Sequence, residues 1–299
     1  FHAYAATPDA QESRGLGDVY KRQVSKRRNS VQRTYLMPQN IIKISEDELL
    51  KAACCNLSES FETNPSVDVN HNDAITGTKQ IEMLGLKSPY ILITEENIPM
   101  VRGASQTFGL GFTPGTWIES IQVTKGMGSV TNGYESIVGQ INTEIKKPYT
   151  DMPFFFNLFN SLVDGRFEAN AHIRSKVSEK MHNTLFIHYN DRKKSNDKNG
   201  DEFLDKPVQE QLNLLSKWQY TDTSKGLVSF LNIRYLDDYK KIGSINFNEK
   251  EDLSRFWGGE ILTNRFDSSF KLGYVNPEIP YQSLGFQLAY NFHDQEAYY

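Results

Sequence analysis

Cysteine is nearly absent from this sequence, and its two cysteines, Cys54 and Cys55, are adjacent. Neighbouring Cα atoms lie ~3.8 Å apart, which is shorter than the usual ~4.4–6.8 Å across a disulfide. We therefore expect free thiols and no structural bridge. Two such thiols could act as soft metal ligands, but their alanine neighbours favour small buried residues.

Long apolar runs are absent too. No window approaches the ~18–20 apolar residues of a membrane-spanning helix, which excludes a helical membrane protein. A membrane β-barrel stays possible, because its strands alternate polar and apolar residues. The formal net charge is −4, so the sequence indicates neither a nucleic-acid partner nor a basic patch for a membrane surface.

Motifs of catalysis are also missing. The sequence contains no H-E-x-x-H, no G-x-S-x-G and no Cys-x-x-Cys, and it places no acid and base together. We predict that the protein is not an enzyme and needs no cofactor.

The first residues show neither the charged start nor the apolar run of a signal peptide. The hexapeptide DVYKRQ (18–23) looks like the translation of a transposon end used in sequencing libraries. We expect residues 1–23 to be an artefactual or disordered leader, and residues 24–37 to be a linker. Reads across the locus test this, because an intact reading frame that encodes the leader would refute it.

Residues 38–147 have the pattern of a small α+β domain. A strand is predicted at IIKIS (41–45), and Ser45 with Glu48 forms a capping box that starts a helix. Gly and Pro separate the further strands. These are SVDV (66–69), QIEMLG (80–85), YILITEENIPM (90–100), IESIQVTKG (118–126) and INTEIKK (141–147).

The last two of these strands are joined by a segment with four glycines, KGMGSVTNGYESIVG. Gly126 and Gly128 suit a turn that needs positive φ, and Asn132-Gly133 is a second turn signal. Gly139 lets two backbones approach closely. A phosphate-binding loop is the alternative, but the segment lacks both the G-K-[ST] ending and a G-x-G-x-x-G at a strand-to-helix turn.

On these residues the sequence resembles the end of the plug domain of TonB-dependent outer-membrane receptors. The resemblance implies a structural motif at Gly126, Gly128, Ser129, Gly133, Gly139, Ile141 and Asn142. Upstream, Glu96-Asn97 stands where most members have an Asp-Gly turn, and Leu84-Gly85 stands where many have Arg-Gly. The stretch KAACCNLSESFETNPSVDV resembles a Bacteroidetes-type subgroup.

Residues 148–299 alternate between polar and apolar positions with a period of two. In RFEANAHIRSKV, Phe167, Ala169 and Ile173 share one face and polar residues share the other. MHNTLFIHY, VQEQLNLLSKWQY and LGFQLAYNFH alternate in the same way. Each run has about the ~9–11 residues that a tilted membrane strand needs.

The connections between these runs differ in length. VSEK, TDTSKG and NRFDSS are predicted to be short, whereas DRKKSNDKNGDEFLDKP and DDYKKIGSINFNEKEDLSRF are predicted to be long. This sorting is typical of outer-membrane barrels, and a soluble sandwich does not require it. Trp218, Tyr220, Tyr189 and Tyr235 fit an aromatic girdle. About seven or eight strands are predicted, against roughly 22 in large transporters, so we expect an incomplete antiparallel transmembrane β-barrel that is truncated.

The resemblance implies an active-transport receptor of the cell outer membrane, surrounded by outer-membrane lipid. A scarce ligand of the metal-chelate, siderophore or cobalamin type binds outside. TonB, with its inner-membrane energising complex, then displaces the plug. A glycan-import receptor of the same superfamily is one alternative, although ENIP and KGMGS replace that branch's usual Asp-Gly-Val-Pro and Lys-Asp-Ala-Ser. The other is a non-transporting β-rich surface adhesin, which detergent dependence distinguishes.

Few residues stand out as ligand contacts. His71, Asn72 and Asp73 form a polar cluster after a predicted strand, and they are candidates for ligand contacts at an apical loop. Three histidines fall on polar strand faces, where we expect water-facing imidazoles and where cargo or metal contacts are the alternative: His172, His182 and His188. The acidic stretch NDKNGDEFLD lacks EF-hand spacing and is interpreted as a solvated loop.

Overall fold

The computed structural model describes residues 31–34, 40–45, 57, 61, 67–73, 78–128, 135–163, 165–248, 256–279 and 281–299. The predicted leader, Cys54, Cys55, Ser129 and Gly133 therefore lie outside the described residues. So does the helix predicted from Ser45 to before Asn64, apart from Ser45, Leu57 and Phe61. Within the described ranges, no helix is long and apolar enough to cross a membrane.

The first nine strands form two sheets, which we call together the mixed unit. Their bounds are β1 Val31–Thr34, β2 Asn40–Ser45, β3 Asp68–Asp73, β4 Thr78–Met83, β5 Leu86–Lys87, β6 Ile91–Glu95, β7 Ile98–Pro99, β8 Ile118–Lys125 and β9 Gly139–Ile145. One sheet has the order β1-β2-β8-β9-β6-β7, and the other has the order β3-β4-β5. β6 pairs with β9 in parallel, and the other pairs are antiparallel.

Alternating apolar residues on the central strands build the core of the mixed unit. Ile121 and Val123 on β8 and Ile141 on β9 are fully buried, and they pack with Ile93 of β6 and Phe61. Short 3-10 helices connect the strands at Ser88–Tyr90, Gly103–Gln106, Gly109–Gly111 and Gly115–Trp117. The strands predicted at IIKIS, QIEMLG, IESIQVTKG and INTEIKK are thus confirmed within one or two residues.

The remaining strands form one antiparallel sheet of seven, which we call the long sheet. Its strands are β10 Phe154–Ser161, β11 Arg166–Lys176, β12 Met181–Arg192, β13 Val208–Asp222, β14 Leu227–Gly243, β15 Gly258–Val275 and β16 Ser283–Tyr298. Each strand pairs with the next along the chain. The predicted period-two runs coincide with β11, β12, β13 and β16.

Three of the predicted connections are right, one is right only in part and one is wrong. The predicted connection DDYKKIGSINFNEKEDLSRF begins too early, because residues 237–243 continue β14. The residues of NRFDSS (264–269) lie in the middle of β15, because Arg265 and Asp267 continue one face of the strand while Phe266 continues the other. The connections 193–207 and 244–257 are long, as predicted. Trp218 and Tyr220 lie near the end of β13, beside the short turn after it.

The two long connections are bonded to each other. Phe203 and Ser244 form an isolated β-bridge, and the ring of Phe203 stacks on that of Trp257 with 6.2 Å between centroids. Leu204 N donates to Gly243 O (2.9 Å), and Ile245 N donates to the backbone of residue 202 (2.9 Å).

The two faces of the long sheet have opposite polarity. One face exposes large apolar side chains, among them Phe154, Phe156, Leu158, Ile173, Leu185, Leu212, Ile233, Leu262 and Phe266. The other face buries polar and charged side chains, among them Glu168, Asn170, His172, Thr184, His188, Asn213, Lys217, Arg234 and Arg265. A water-soluble sandwich has the reverse arrangement, whereas membrane strands expose their apolar face to lipid.

Candidate functional site: the interface between the mixed unit and the long sheet

The polar face of the inner strands, β11 to β15, is largely buried because the mixed unit lies against it, whereas the edge strands β10 and β16 are mostly exposed. We call this contact the interface. Its centre is a hairpin in which β6 and β7 are joined by Glu96 and Asn97, with φ of 51° and 63°. Positive φ at both central residues is the type I′ hairpin turn. Asn142 Oδ1 accepts hydrogen bonds from Asn97 N (2.7 Å) and Thr94 Oγ1 (2.9 Å), which fixes the turn from the neighbouring strand.

The turn directs the carboxylate of Glu96 into the long sheet. Its Oε1 pairs with Lys217 Nζ, and its Oε2 accepts from Asn232 Nδ2 (3.2 Å) and lies 3.9 Å from Lys271 Nζ. Lys271 also donates to the backbone oxygen of Glu96. Three consecutive strands, β13 to β15, therefore bind one residue of the mixed unit.

Burial and charge act on Glu96 in opposite directions. Burial raises the pKa of its carboxyl, but the charges of Lys217 and Lys271, with hydrogen bonds from Lys217 and Asn232, outweigh burial and hold the pKa below its ordinary value. The group is thus a carboxylate at neutral pH. Its side chain is 8 % exposed and that of Lys217 is 0 % exposed, so this is a buried ion pair.

The adjacent Glu95 makes a second ion pair. Its Oε2 lies 3.2 Å from Arg234 Nη1 and accepts from Thr113 Oγ1 (3.1 Å). Arg234 also donates to Asn213 Oδ1 (3.0 Å) and to Phe112 O, and its guanidinium lies 5.4 Å from the ring of Trp117. Arg234 thus satisfies several acceptors at once, as a buried guanidinium must.

Backbone carbonyls of the mixed unit accept further hydrogen bonds from the long sheet. Arg265 Nη2 donates to Met100 O (3.1 Å), and Asn213 Nδ2 donates to Phe112 O (2.6 Å). These carbonyls lie in the irregular segment between β7 and β8, which has no strand partner for them. Side chains on the polar face of the long sheet therefore supply the hydrogen bonds that a neighbouring strand would otherwise make.

Two small apolar clusters flank the ion pairs. In each, residues of the mixed unit pack on residues of the long sheet: Met100, Phe108 and Phe112 against Leu236, Ile242 and Ile261, and Trp117 and Ile145 against Phe186 and Leu215. The rings of Trp117 and Phe186 lie 5.6 Å apart. The interface is therefore a polar centre between two apolar contacts.

Three glycines of the predicted motif, Gly126, Gly128 and Gly139, lie from the end of β8 to the start of β9, outside the interface contacts described above. Gly126 has φ +92°, and a Cβ at Gly139 would stand 2.6 Å from Thr124 O on the paired strand. A Cβ at Gly128 would meet Ser136 Oγ at 2.2 Å. Ile141 is fully buried, and Asn142 holds the hairpin turn, as described above.

The structure also places the other candidate residues from the sequence. His71, Asn72 and Asp73 lie in β3, which pairs with β4 in the smaller sheet. The expectation of water-facing imidazoles is wrong: His172, His182 and His188 are 0 %, 8 % and 2 % exposed, because this face of the long sheet is covered. No group of three or more His, Cys, Asp or Glu among the described residues could hold a metal ion.

Sequence reasoning missed Glu95, Glu96, Lys217, Arg234 and Lys271. One signal was available, because two adjacent carboxylates end a strand that is otherwise apolar, ILITEE. Lys217 lies at a polar position of the alternating run VQEQLNLLSKWQY, but no pattern within a strand indicates which distant residue pairs with it.

Comparison with known proteins bears on this arrangement. Residues 33–140 match the family model of the TonB-dependent Receptor Plug Domain. The ferripyoverdine receptor of the outer membrane of Pseudomonas aeruginosa is 14 % identical, with a TM-score of 0.67 over 87 % of this chain and 35 % of that chain. The fold is that of a TonB-dependent receptor. It comprises a mixed-sheet plug followed by part of an antiparallel barrel, which confirms the predicted fold class.

Other solved receptors show the same fold. The siderophore receptor PiuA from Acinetobacter baumannii is 14 % identical, with a TM-score of 0.65 over 87 % of this chain and 37 % of that chain. The ferric-catecholate import receptor Fiu from E. coli K12, in its closed form, is 12 % identical, with a TM-score of 0.64 and the same coverage of 87 % and 37 %. This chain thus spans little more than a third of their length. The sequence matches none of the curated proteins with which it was compared.

Proposed function

We propose that this chain is part of an active-transport receptor of the bacterial outer membrane, of the Bacteroidetes-type subgroup. It binds a scarce ligand of the metal-chelate, siderophore or cobalamin type and imports it with energy from TonB. Residues 38–147 act as the plug, and residues 148–299 are barrel strands. The observation that carries this proposal is the long sheet with its apolar face exposed and its polar face covered by a separate unit.

The two faces of the long sheet support a position in the outer membrane. Exposed Phe, Leu and Ile side chains gain free energy in lipid, whereas the polar face needs either water or a polar partner. The mixed unit supplies that partner when it is in place. When the mixed unit moves, water can replace it at the same donors and acceptors, so the polar face of the long sheet stays hydrated.

The composition of the interface supports a plug that can leave. Ion pairs and hydrogen bonds to carbonyls can be exchanged for water, whereas a wide apolar contact resists separation. The apolar clusters here are small and lie beside the polar centre. Transport then requires only that energised TonB favours the displaced state over the closed one, with no covalent step. The solved structures of the same fold are receptors, which fits a protein that is not an enzyme.

The sequence-predicted sites keep their roles in this proposal. The glycine motif lets the plug backbone turn within a narrow lumen, and its φ at Gly126 and close approach at Gly139 support that role. His71, Asn72 and Asp73 are assigned to ligand contacts. The ferric-chelate receptors among the solved structures support a metal chelate as the ligand class.

Uptake in a strain that lacks the full-length gene tests the proposal. Radiolabelled ferric siderophores, ferric citrate, cobalamin and oligosaccharides are supplied separately, in the deletion strain and in a strain without TonB. We expect both strains to lose uptake of one metal chelate or of cobalamin. Loss of oligosaccharide uptake instead would favour the glycan alternative. A full-length protein recovered without detergent, with all uptake intact, would overturn the proposal in favour of an adhesin.

A further inference from the structure

Three cations form one patch on the polar face of the long sheet, and we call them the cation patch: Lys217 on β13, Arg234 on β14 and Lys271 on β15. The register places Lys217 opposite Asn232 and Lys271 opposite Phe230. Phe230, Asn232 and Arg234 are alternate residues of β14, so all three cations share a face. With ~4.8 Å between strands and ~3.4 Å per residue, their Cα atoms lie within about 15 Å of one another.

The cation patch takes its counter-charges from the mixed unit. Lys217 and Lys271 share the carboxylate of Glu96, and Arg234 lies 3.2 Å from that of Glu95. Both carboxylates sit at the β6–β7 hairpin, so they leave together if the hairpin moves.

A carboxylate of the long sheet itself does not replace them. Asp267 stands opposite Arg234 in the register, but Arg265 binds it through Nε at 2.8 and 3.0 Å and Asn291 donates to it at 2.5 Å. Arg265 and Asp267 cancel in charge. The patch thus carries a charge of about three positive units once the hairpin is withdrawn.

A cleft lies between the β6–β7 hairpin and the part of the long sheet that carries the cation patch. It is lined by Glu95, Ile98 and Met100 on the hairpin side and by Arg234, Ser269 and Asn291 on the side of the long sheet. The cleft and the cation patch therefore share Arg234. A path that opens by withdrawal of the hairpin would widen this cleft and run along the patch.

From this geometry we infer that the transported ligand is an anion, and that Lys217, Arg234 and Lys271 line its passage. The inference rests on the proposed function and narrows it to anionic chelates over neutral or cationic ligands. Charges of one sign in a narrow space with low-dielectric walls raise the local concentration of the opposite charge. They also repel cations of similar size. The two glutamates would therefore keep the patch neutral while the receptor is closed and uncover it only during transport.

Cysteine modification in the full-length receptor tests the sign of this charge. Cys54 and Cys55 are first replaced by serine, and Ser269→Cys, which stands opposite Asn232 on the polar face, places one thiol in the cleft. Living cells are treated with an anionic or a cationic methanethiosulfonate reagent, and each rate is divided by the rate with free cysteine. We expect the anionic reagent to react at least fivefold faster than the cationic one in energised cells. Lys271→Gln should lower this ratio more than twofold, whereas Lys180→Gln, at a turn outside the patch, should not change it.

The outcomes separate the inference from the proposed function. A normalised ratio of one or less, or a ratio that Lys271→Gln leaves unchanged, would overturn the inference while rates that rise with energisation still support transport. Modification rates that do not change when the cells are energised would count against the proposed function. A high ratio of anionic to cationic rates would even then support a positive charge on this part of the long sheet. If Ser269→Cys fails to reach the membrane, Ala289→Cys, which stands opposite Ser269, provides a second thiol in the same cleft.

Discussion

Replacing Glu96 with glutamine tests whether the hairpin anchors the mixed unit to the long sheet. Glutamine keeps the size of the side chain and can still accept from Asn232, but it leaves Lys217 with a buried charge and no carboxylate. Removing one partner of a buried ion pair costs ~3–5 kcal/mol. We expect the lower end, ~3 kcal/mol, because Lys217 also donates to Ile145 O (3.3 Å). That free energy corresponds to about a hundredfold shift towards the separated state.

Hydrogen exchange of the full-length protein in detergent measures this shift. Amides of the hairpin report on it because a hairpin that has left the long sheet can open its remaining bonds within the mixed unit, such as that from Glu96 N to Thr143 O (2.8 Å). We expect their exchange in Glu96→Gln to be about a hundredfold faster than in the unmodified protein, with little change in the outer strands of the long sheet. The variant that also carries Lys217→Met should recover part of the protection, because both buried charges are then gone.

Glu179→Gln is the matched control. Glu179 also pairs with a lysine, Lys176, at 2.6 Å, but their side chains are 87 % and 53 % exposed. An exposed pair contributes little to stability, so this change should leave exchange of the hairpin unaltered. If the two glutamine variants exchange alike, the hairpin is not an anchor and the reasoning from burial is wrong.

Three further predictions follow from the mixed unit. Because the pKa of Glu96 is lowered, its contribution to stability is complete above pH 4.5, the ordinary value of the group, and is lost as the pH falls below that value. Protection of the hairpin amides, measured as their exchange relative to an unstructured peptide at the same pH, should therefore stay constant down to that pH and then fall, but not in Glu96→Gln. Gly139→Ala should lower the free energy of unfolding of the mixed unit by ~1–3 kcal/mol, and with it the melting temperature, because its Cβ would stand 2.6 Å from Thr124 O. Gly111→Ala, with open space at its Cβ, is the control. Equal melting temperatures of the two variants would contradict the packing argument. Asn97→Val should cost ~1–2 kcal/mol at its positive φ, whereas Asn97→Gly should melt close to the unmodified protein; a valine variant of unchanged stability would show that the turn does not need this conformation.

The strands of the long sheet could be predicted from sequence because its two faces meet different surroundings. RFEANAHIRSKV alternates over its whole length, and β11 covers Arg166–Lys176. NRFDSS was misread because its composition is that of a turn, although Phe266 keeps the alternation. Residue types that favour turns did not end this strand, since cross-strand pairing continues on both sides.

The interface could not be predicted, because its partners are distant in the sequence. Glu96 and Lys217 are separated by 121 positions, and nothing in either local pattern specifies the other. The same limit explains why the burial of the histidines was not predicted. His172 and His188 were correctly placed on the polar face, but the covering of that face depends on how the mixed unit docks, which is a property of the tertiary structure.

The bridge between the two long connections joins the ends of four strands, β12 to β15. A displacement of Phe203 would either break this bridge or carry Ser244 with it. The ends of these strands are therefore mechanically coupled, and three of them, β13 to β15, carry Lys217, Arg234 and Lys271.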